Sequence, residues 1–448
     1  MKQPNRLNAA ALALLLLSST LPQTPAQVAK QSNDALKLTQ QRDPALWRRA
    51  LAIHRRAIVV DGHNDIPTIM VDEGYDLGTP STGKYHTDIP RLKRSGLTGE
   101  FFSIYVDRQY ATPDWIAKNY PREGGSSRRA LDLIDASYRM VEKHPRDLML
   151  ATSPADILRA KRTGKVAVLL GLEGGHAIEN SLSALREFYR LGARYLTLTH
   201  NNTNDWADSC CDEARNNGLS DFGREVVKEM NRLGMLIDVS HVSDKTMSDV
   251  LDVSRAPVIA SHSCARVFSN HKRNIPDDLL RRIAKNGGVV MINFYPVFLD
   301  EKVRTASLER DAKLKAQRDA LKEQYKDDPK RLAEEQKKLD DANPIPNTTL
   351  SMIVDHIEHV VKVAGIDHVG IGSDFDGVSF LPEGVRDVAD LPNITYELLR
   401  RGYSERDIMK ILGGNFMRAF AEVERVARVE RRKISGEGST RKLEALKK

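Results

Sequence analysis

Eight short runs rich in apolar and β-branched residues are spread along the chain: "AIVVDGH", "EFFSIYV", "VAVLLGLE", "RYLTLTH", "MLIDVSH", "PVIASH", "GVVMINFY" and "HVGIGSDF". Most are followed by a stretch with helical periodicity, such as "SLSALREFYRLG", "GREVVKEMNRLG" and "SDKTMSDVLDVS", the first two of which stop at glycine. Strands alternating with helices make parallel βα units, and eight of them predict an α/β fold closed into a (β/α)8 TIM-like barrel. In such a barrel the carboxyl ends of all strands meet at one rim. Residues far apart in sequence therefore converge on one site.

The ends of the runs carry polar side chains suited to metals. In an extended strand residues two apart share a face, so His63 and Asp65 of "VVDGHND" are expected to project together. Glu173, His200, His241, His262 and Asp374 close five further runs. Alternation puts His200 in phase with Leu196 and Leu198, and His241 in phase with Ile237 and Val239, which predicts that they point as the core residues point. A lone buried histidine is usually a hydrogen-bonded core residue. Several histidines and carboxylates at matching strand ends are instead the donor set of divalent cations. Glu173, in "GLEGGH", has two oxygens and is the natural bridge between two ions, and the glycines after it are expected to let the backbone approach a metal closely.

The remainder of the chain bounds the possibilities. Hydrophobic residues make up 41% and charged residues 29% of the 448, which suits a globular protein with a sizeable core. The formal charge of +7 gathers in "VERVARVERRK" and "TRKLEALKK" without interleaved aromatics, so no nucleic-acid partner is expected. Residues 1–26 combine Lys2 and Arg6 with an apolar stretch from Ala9 to Leu17, too short to span a bilayer of ~30 Å. They read as a cleavable secretory signal, giving a periplasmic or secreted protein with no stable membrane anchor. Residues 45–425 form the barrel domain, and 426–448 a basic, disordered tail. Asp300 to Pro344, after the seventh strand, is nearly all charge, Ala and Leu; it predicts an exposed helical insertion broken into two arms by Pro329, on the same rim as the site. A solvated hairpin, a lid and a subunit contact are all open to it. Adjacent Cys210 and Cys211 are poorly placed to bond each other, leaving a bridge from either to Cys264 open.

Taken together, "DGHND", "GLEGGHAIENSL", "RYLTLTHNNTNDWADS", "LIDVSHVSDKTM", "APVIASHSCAR", "RNIPDDLL" and "GIGSDFDGV" resemble the signature segments of the membrane (renal-type) dipeptidase family, a zinc-dependent branch of the amidohydrolase superfamily. The resemblance runs from about Ile58 to about Phe420 in consistent order. It implies two Zn²⁺ per chain, one held by His63, Asp65 and bridging Glu173, the other by Glu173, His241 and His262. It further implies that His200 contacts the substrate and polarises the scissile carbonyl, that Arg273 of "HKRNIP" receives the substrate carboxylate, and that Asp374 is the catalytic acid/base, also in contact with substrate. A homodimer is implied as well. The insertion is not a general feature of the family, and no C-terminal apolar tail supports a GPI anchor.

The function expected is zinc-dependent hydrolysis of dipeptides with a free C-terminal carboxylate, by attack of a metal-bridging hydroxide on the amide carbonyl. The resemblance extends this to tolerance of a D-residue at the second position. Asp376, beside Asp374, is read as a supporting or loop-closing residue. The alternatives are a deaminase, lactonase or phosphotriesterase on the same barrel, for which Arg273 would be irrelevant, and a periplasmic binding protein that uses the insertion to hold a partner.

Overall fold

The structure is a computed structural model and describes residues 42–119, 124–326 and 328–445. The expected secretory signal at 1–26 lies outside them. Nine parallel strands form the sheet: β1 (Val60–Asn64), β2 (Gly99–Tyr105), β3 (Leu148–Leu150), β4 (Val166–Glu173), β5 (Ala193–Thr197), β6 (Leu236–Asp238), β7 (Val258–Ala260), β8 (Val289–Ile292) and β9 (Val369–Ile371). Each of the eight anticipated runs contains one of them. The unanticipated β3 is only three residues long and pairs with Val166–Val168 at the start of β4, while β5 takes over the same edge from Leu170. The other eight close into a barrel through pairing of β2 with β4 and of β1 with β9.

Strand alternation sorts the core into two shells. Val60, Phe101, Leu169, Tyr195, Leu236, Ile259, Val289 and Met291 form one buried cluster inside the barrel, closed by Phe416 and Phe420 of the last helix. Their neighbours, including Phe102, Leu170, Leu196, Ile237 and Val290, pack in a second cluster with the surrounding helices. Burial on both faces explains why these strands read as continuous apolar runs. The helices between them start where the sequence offers a cap: Ser181, Ser220 and Ser243 accept from the amides of Ala184, Gly223 and Thr246. Gly234, in the left-handed region at φ 84°, ends the helix Asp221–Leu233.

The charged insertion is a helical hairpin of Glu301–Gln324 and Pro329–Asp341, with Pro329 in the first turn of the second arm, where its missing N–H is harmless. It is less detached than its composition implies. Val303, Ser307 and Leu314 are buried along one stripe, and Arg318 reaches across to Asp340 of the second arm at 2.5 Å while pairing with Asp311 of its own helix at 3.0 Å. The tail boundary is also corrected. The chain stays helical from Asn415 to Ala445, and Val426 and Ala427, assigned to a disordered tail, are buried because their apolar face continues the packing of this helix.

His356, on the helix Leu350–Ala364, is fully buried. Its Nδ1 accepts from the Ala265 amide at 3.0 Å and its Nε2 donates to the Leu299 carbonyl at 2.9 Å, which fixes a neutral ring. Burial lowers its pKa from the ordinary histidine value to about 4, the Leu299 carbonyl opposing. Because the folded value lies below the unfolded one, the contribution is complete above pH ~6.5 and is lost as pH falls toward 4, costing up to about 3 kcal/mol. Denaturant titrations at pH 7 and pH 5 should show a stability loss that is smaller in His356→Gln, although that variant starts lower. An equal loss in both proteins would assign the acid sensitivity to other groups.

Candidate active site

The side chains at the carboxyl rim surround a pocket lined by Asp65, Tyr105, Glu173, His200, Asn201, His241, His262, Arg273, Tyr295, Phe298 and Asp374, with Gly377, Val378 and Ser379 at its edge. All eight residues singled out from the sequence are at this rim, His63 lying just beneath at 3.2 Å from both Asp65 Oδ2 and Glu173 Oε2. The two oxygens of Glu173 are divided. Oε2 faces His63 and accepts from Ser103 Oγ at 2.8 Å, whereas Oε1 lies 3.2 Å from His241 Nε2 and 3.5 Å from His262 Nε2. Donor atoms of Glu173, His200 and His241 also fall within 4.8 Å of one another, as do those of His63, Asp65 and Asp374.

How the residues arrive there differs from the expectation of simple alternation. Only Glu173 projects inward in regular strand register, following Leu169 and Gly171. The residues in phase with His200 and His241, namely Leu196, Leu198, Ile237 and Val239, pack outward against the helices. His200 follows the end of β5 and is redirected by a bend; His241 takes a left-handed backbone at φ 67°. His63 lies at an irregularity in the β1–β2 register between Asp61 and Asn64. Asp374 is also left-handed, at φ 63°. Strained backbone of this kind persists where surrounding contacts overdetermine it, commonly at functional sites.

Three hydrogen bonds fix the histidine tautomers. Ser261 donates to Asp238 Oδ2 at 2.7 Å, so its oxygen accepts from His262 Nδ1–H at 2.7 Å. Asn201 Oδ1 accepts from His241 Nδ1–H at 3.0 Å. Tyr195 directs its hydroxyl hydrogen to the Gly62 carbonyl at 3.3 Å and accepts from His63 Nδ1–H at 2.8 Å. Each ring thereby turns its Nε2 toward Glu173, the arrangement that orients histidine ligands; at His63, burial is outweighed by Tyr195 and by the Glu173 and Asp65 carboxylates, which raise its pKa well above the ordinary value. The His241 and His262 Nε2 atoms face each other at 2.9 Å, and His63 Nε2 has no hydrogen-bond partner. These groups can hold divalent cations. Of the orienting groups, only their placement as polar interruptions in apolar runs, as with Tyr195 in "RYLTLTH" and Ser261 in "IASH", signals them in the sequence.

The electrostatics match. Burial raises the Glu173 carboxyl, but His63, His241 and His200 outweigh it and hold the group well below the usual range. Burial, with Arg273 and neighbouring histidines, lowers His241 and His262 well below the ordinary value, leaving them neutral. Asp374 is pushed up to about 7 by burial and by the Asp65 and Glu173 carboxylates, with His63 opposing. Its Oδ2 accepts from Asn293 Nδ2 at 2.7 Å. A side chain on Gly377 would meet Asp65 Oδ2 at 2.1 Å and Asp374 Oδ1 at 2.5 Å, so glycine is required there for the carboxylates to meet.

The family model of the membrane dipeptidases, peptidase family M19, matches residues 47–434. The chain belongs to the membrane dipeptidase family. Among solved structures it is similar to the probable dipeptidase PvdM from Pseudomonas aeruginosa, with a TM-score of 0.74 and 28% identity over 86% of this chain and 100% of that one. It is also similar to a metallopeptidase from Rhodobacter sphaeroides liganded with a phosphinate mimic of the dipeptide L-Ala-D-Ala, with a TM-score of 0.64 and 26% identity over 82% and 99% of the two chains. The protein is a metallodipeptidase, with the family's barrel and with His, Glu and Asp groups able to bind metal ions. Among its described residues no helix is long and apolar enough to cross a membrane.

Three details of the sequence reading are settled differently or more sharply. Packing by itself calls for the glycines after Glu173: a side chain on Gly174, at φ 100°, would meet His176 at 2.6 Å, and one on Gly175 the Leu198 carbonyl at 2.3 Å. All three cysteines are free; Cys264 donates to the Asn293 carbonyl at 3.2 Å, while Cys210 and Cys211 turn their sulfurs to each other. Asp376 closes a loop, its Oδ1 accepting the His86 amide at 2.6 Å and its own amide donating to His86 Nδ1 at 2.9 Å.

Tyr195→Phe removes the hydroxyl that accepts from His63 Nδ1–H and donates to the Gly62 carbonyl. Metal retention, measured by competition with a chelator, should weaken by roughly 10–100-fold with the fold intact. Unchanged affinity would show that packing alone orients the ring.

Proposed function

We propose that the enzyme is a zinc-dependent dipeptidase specific for substrates with a free C-terminal carboxylate. The observation that carries this reading is Arg273. It lines the pocket, is only 4% exposed, and no carboxylate among the described residues pairs with it. Its Nη1 donates to Ser263 Oγ at 3.2 Å and its Nη2 to the His262 carbonyl at 2.9 Å, while Nε has no partner. An unpaired buried cation costs several kcal/mol. A substrate carboxylate docking on the remaining N–H groups removes that cost with bidentate geometry.

His63, Asp65 and Glu173 would hold one Zn²⁺, and Glu173, His241 and His262 a second. Bound there, they supply Lewis acidity and a water of lowered pKa. The chain supplies the rest. Arg273 fixes the carboxylate end of the substrate, which leaves room for one residue between that clamp and the metals. His200, neutral because burial lowers its pKa, offers an N–H to the carbonyl oxygen as charge develops. Asp374, steadied by Asn293, takes the proton released by the attacking water and delivers it to the leaving amine. Support for a D-residue at the second position comes from the relative liganded with a mimic of L-Ala-D-Ala. The basic and apolar leader supports export, and the family likeness supports a homodimer.

Two substitutions test this assignment. Asp374→Asn should keep the metal content and lower the chemical step by roughly 10²–10⁴-fold. Lost metal would make Asp374 a ligand, and unchanged turnover would remove it from the mechanism. Arg273→Met should lower kcat/KM for free dipeptides by roughly 10²–10³-fold while a C-terminally amidated dipeptide, poor to begin with, loses far less. Equal losses on both substrates would refute the carboxylate clamp.

A further inference from the structure

Arg273 raises a physical problem of its own. A buried guanidinium needs something to hold its plane before substrate arrives, yet a carboxylate in that role would occupy the donors the substrate needs. The structure meets this with neutral partners. On one edge are the Ser263 hydroxyl and the His262 carbonyl. Over its face lies the ring of Phe298, with the guanidinium carbon 5.3 Å from the ring centroid. An aromatic face attracts a cation through its quadrupole but does not neutralise it and takes no N–H away. Other aromatic rings of the pocket are engaged elsewhere: Tyr105 lies against His200 at 4.7 Å, and Tyr295 against Phe298 and Phe380.

Phe298 is itself immobilised. It sits on the one-turn helix Pro296–Leu299, which leads directly into the insertion, and its ring packs on His271 at 4.6 Å and on the edge of Tyr295 at 5.0 Å. This turn is stitched to the loop that carries Arg273. Asn274 Nδ2 donates to the Phe298 carbonyl at 2.7 Å, and Ser269 Oγ donates to the Val297 carbonyl at 2.8 Å. At the root of the insertion the Glu301 amide donates to the Phe268 carbonyl at 2.9 Å, and Glu301 Oε2 accepts the Asn270 amide at 2.8 Å. His356 ties the far ends together, bonded to both Ala265 and Leu299. Ring and guanidinium therefore belong to one cross-linked unit.

We propose that Phe298 is the positioning residue for Arg273: its ring face orients the guanidinium for the substrate carboxylate and thereby sets the affinity for free dipeptides. The proposal rests on the carboxylate-clamp reading of Arg273. It predicts a defined pattern in a double-mutant cycle. Phe298→Ala should raise KM for a free dipeptide by roughly 3–30-fold, the range of a partly desolvated cation–π contact, with kcat and metal content little changed. Phe298→Tyr, which keeps the ring, should restore most of the affinity. In an Arg273→Met background the same Phe298→Ala change should have no further effect on KM, and it should have little effect on an amidated dipeptide in either background.

If Phe298→Ala costs as much on the amidated substrate and in the Arg273→Met background, the ring is a plain pocket wall and the proposal is overturned. An unchanged KM in a folded, metal-loaded Phe298→Ala enzyme overturns it as well. If instead Arg273→Met alone fails to distinguish free from amidated substrates, the clamp reading has failed, an outcome legible from the single variant without reference to Phe298. Thermal midpoint and metal content, measured on every variant, separate these outcomes from loss of fold.

Discussion

The structure depends on one buried carboxylate. Glu173 stands at the end of β4, the longest strand of the barrel, and its two oxygens face different partners, His63 on one side and His241 with His262 on the other. An ionised carboxylate in a water-excluded interior is costly unless positive charge or strong donors surround it. Three imidazoles turned edge-on toward it, each with its Nδ1 tied back, are an arrangement that becomes favourable when cations occupy the space between. Much of the surrounding polar core follows from that need. Asp238 holds Ser261 in place for His262, Tyr195 fills the space beside Gly171 to reach His63, and Ser103 completes the shell of Glu173.

The pocket has a polarity that matches its substrate class. Carboxylates Asp65 and Asp374 lie toward the metal-capable cluster, and the unpaired cation of Arg273 lies in the same cavity. A dipeptide zwitterion presents opposite charges at its two ends, and the proposed Arg273 clamp would give this cavity fixed charges of both signs to meet them. Asp374 illustrates how environment makes a residue useful. Isolated, it would be an ordinary acid; burial and its anionic neighbours move it to about 7, where one carboxyl can both take and give a proton.

Much of this was legible before any coordinates. Each of the eight barrel runs contains a strand, because strands buried on both faces are written as continuous apolar segments. Seven of the rim residues were legible for the same reason, since polar side chains closing such runs stand out; Arg273, in a turn outside them, was reached only through the family resemblance. Their orientation was not. Alternation correctly places Glu173, but it would send His200 and His241 outward with Leu196 and Ile237; bends and a positive φ bring them back. Asn201 carries no pattern that distinguishes it from ordinary polar residues, and Tyr195, Ser261 and Asn293 show only as polar interruptions of apolar runs, which do not name the partner each will orient. The three-residue β3 and the helical continuation beyond 426 escaped notice because a short strand has no measurable period and a basic helix resembles a solvated tail.

The sequence by itself determined the class of fold and the chemical inventory of the site, since periodicity and residue type are local properties fixed by side-chain burial and donor chemistry. Only the tertiary structure decided which donors share an atom, which tautomer each histidine adopts, and that Arg273 is left without a carboxylate. Those facts depend on distances between segments as remote as His63 and Asp374, set when the barrel closes and β9 pairs with β1. Closure is a global event, and no stretch of sequence contains it.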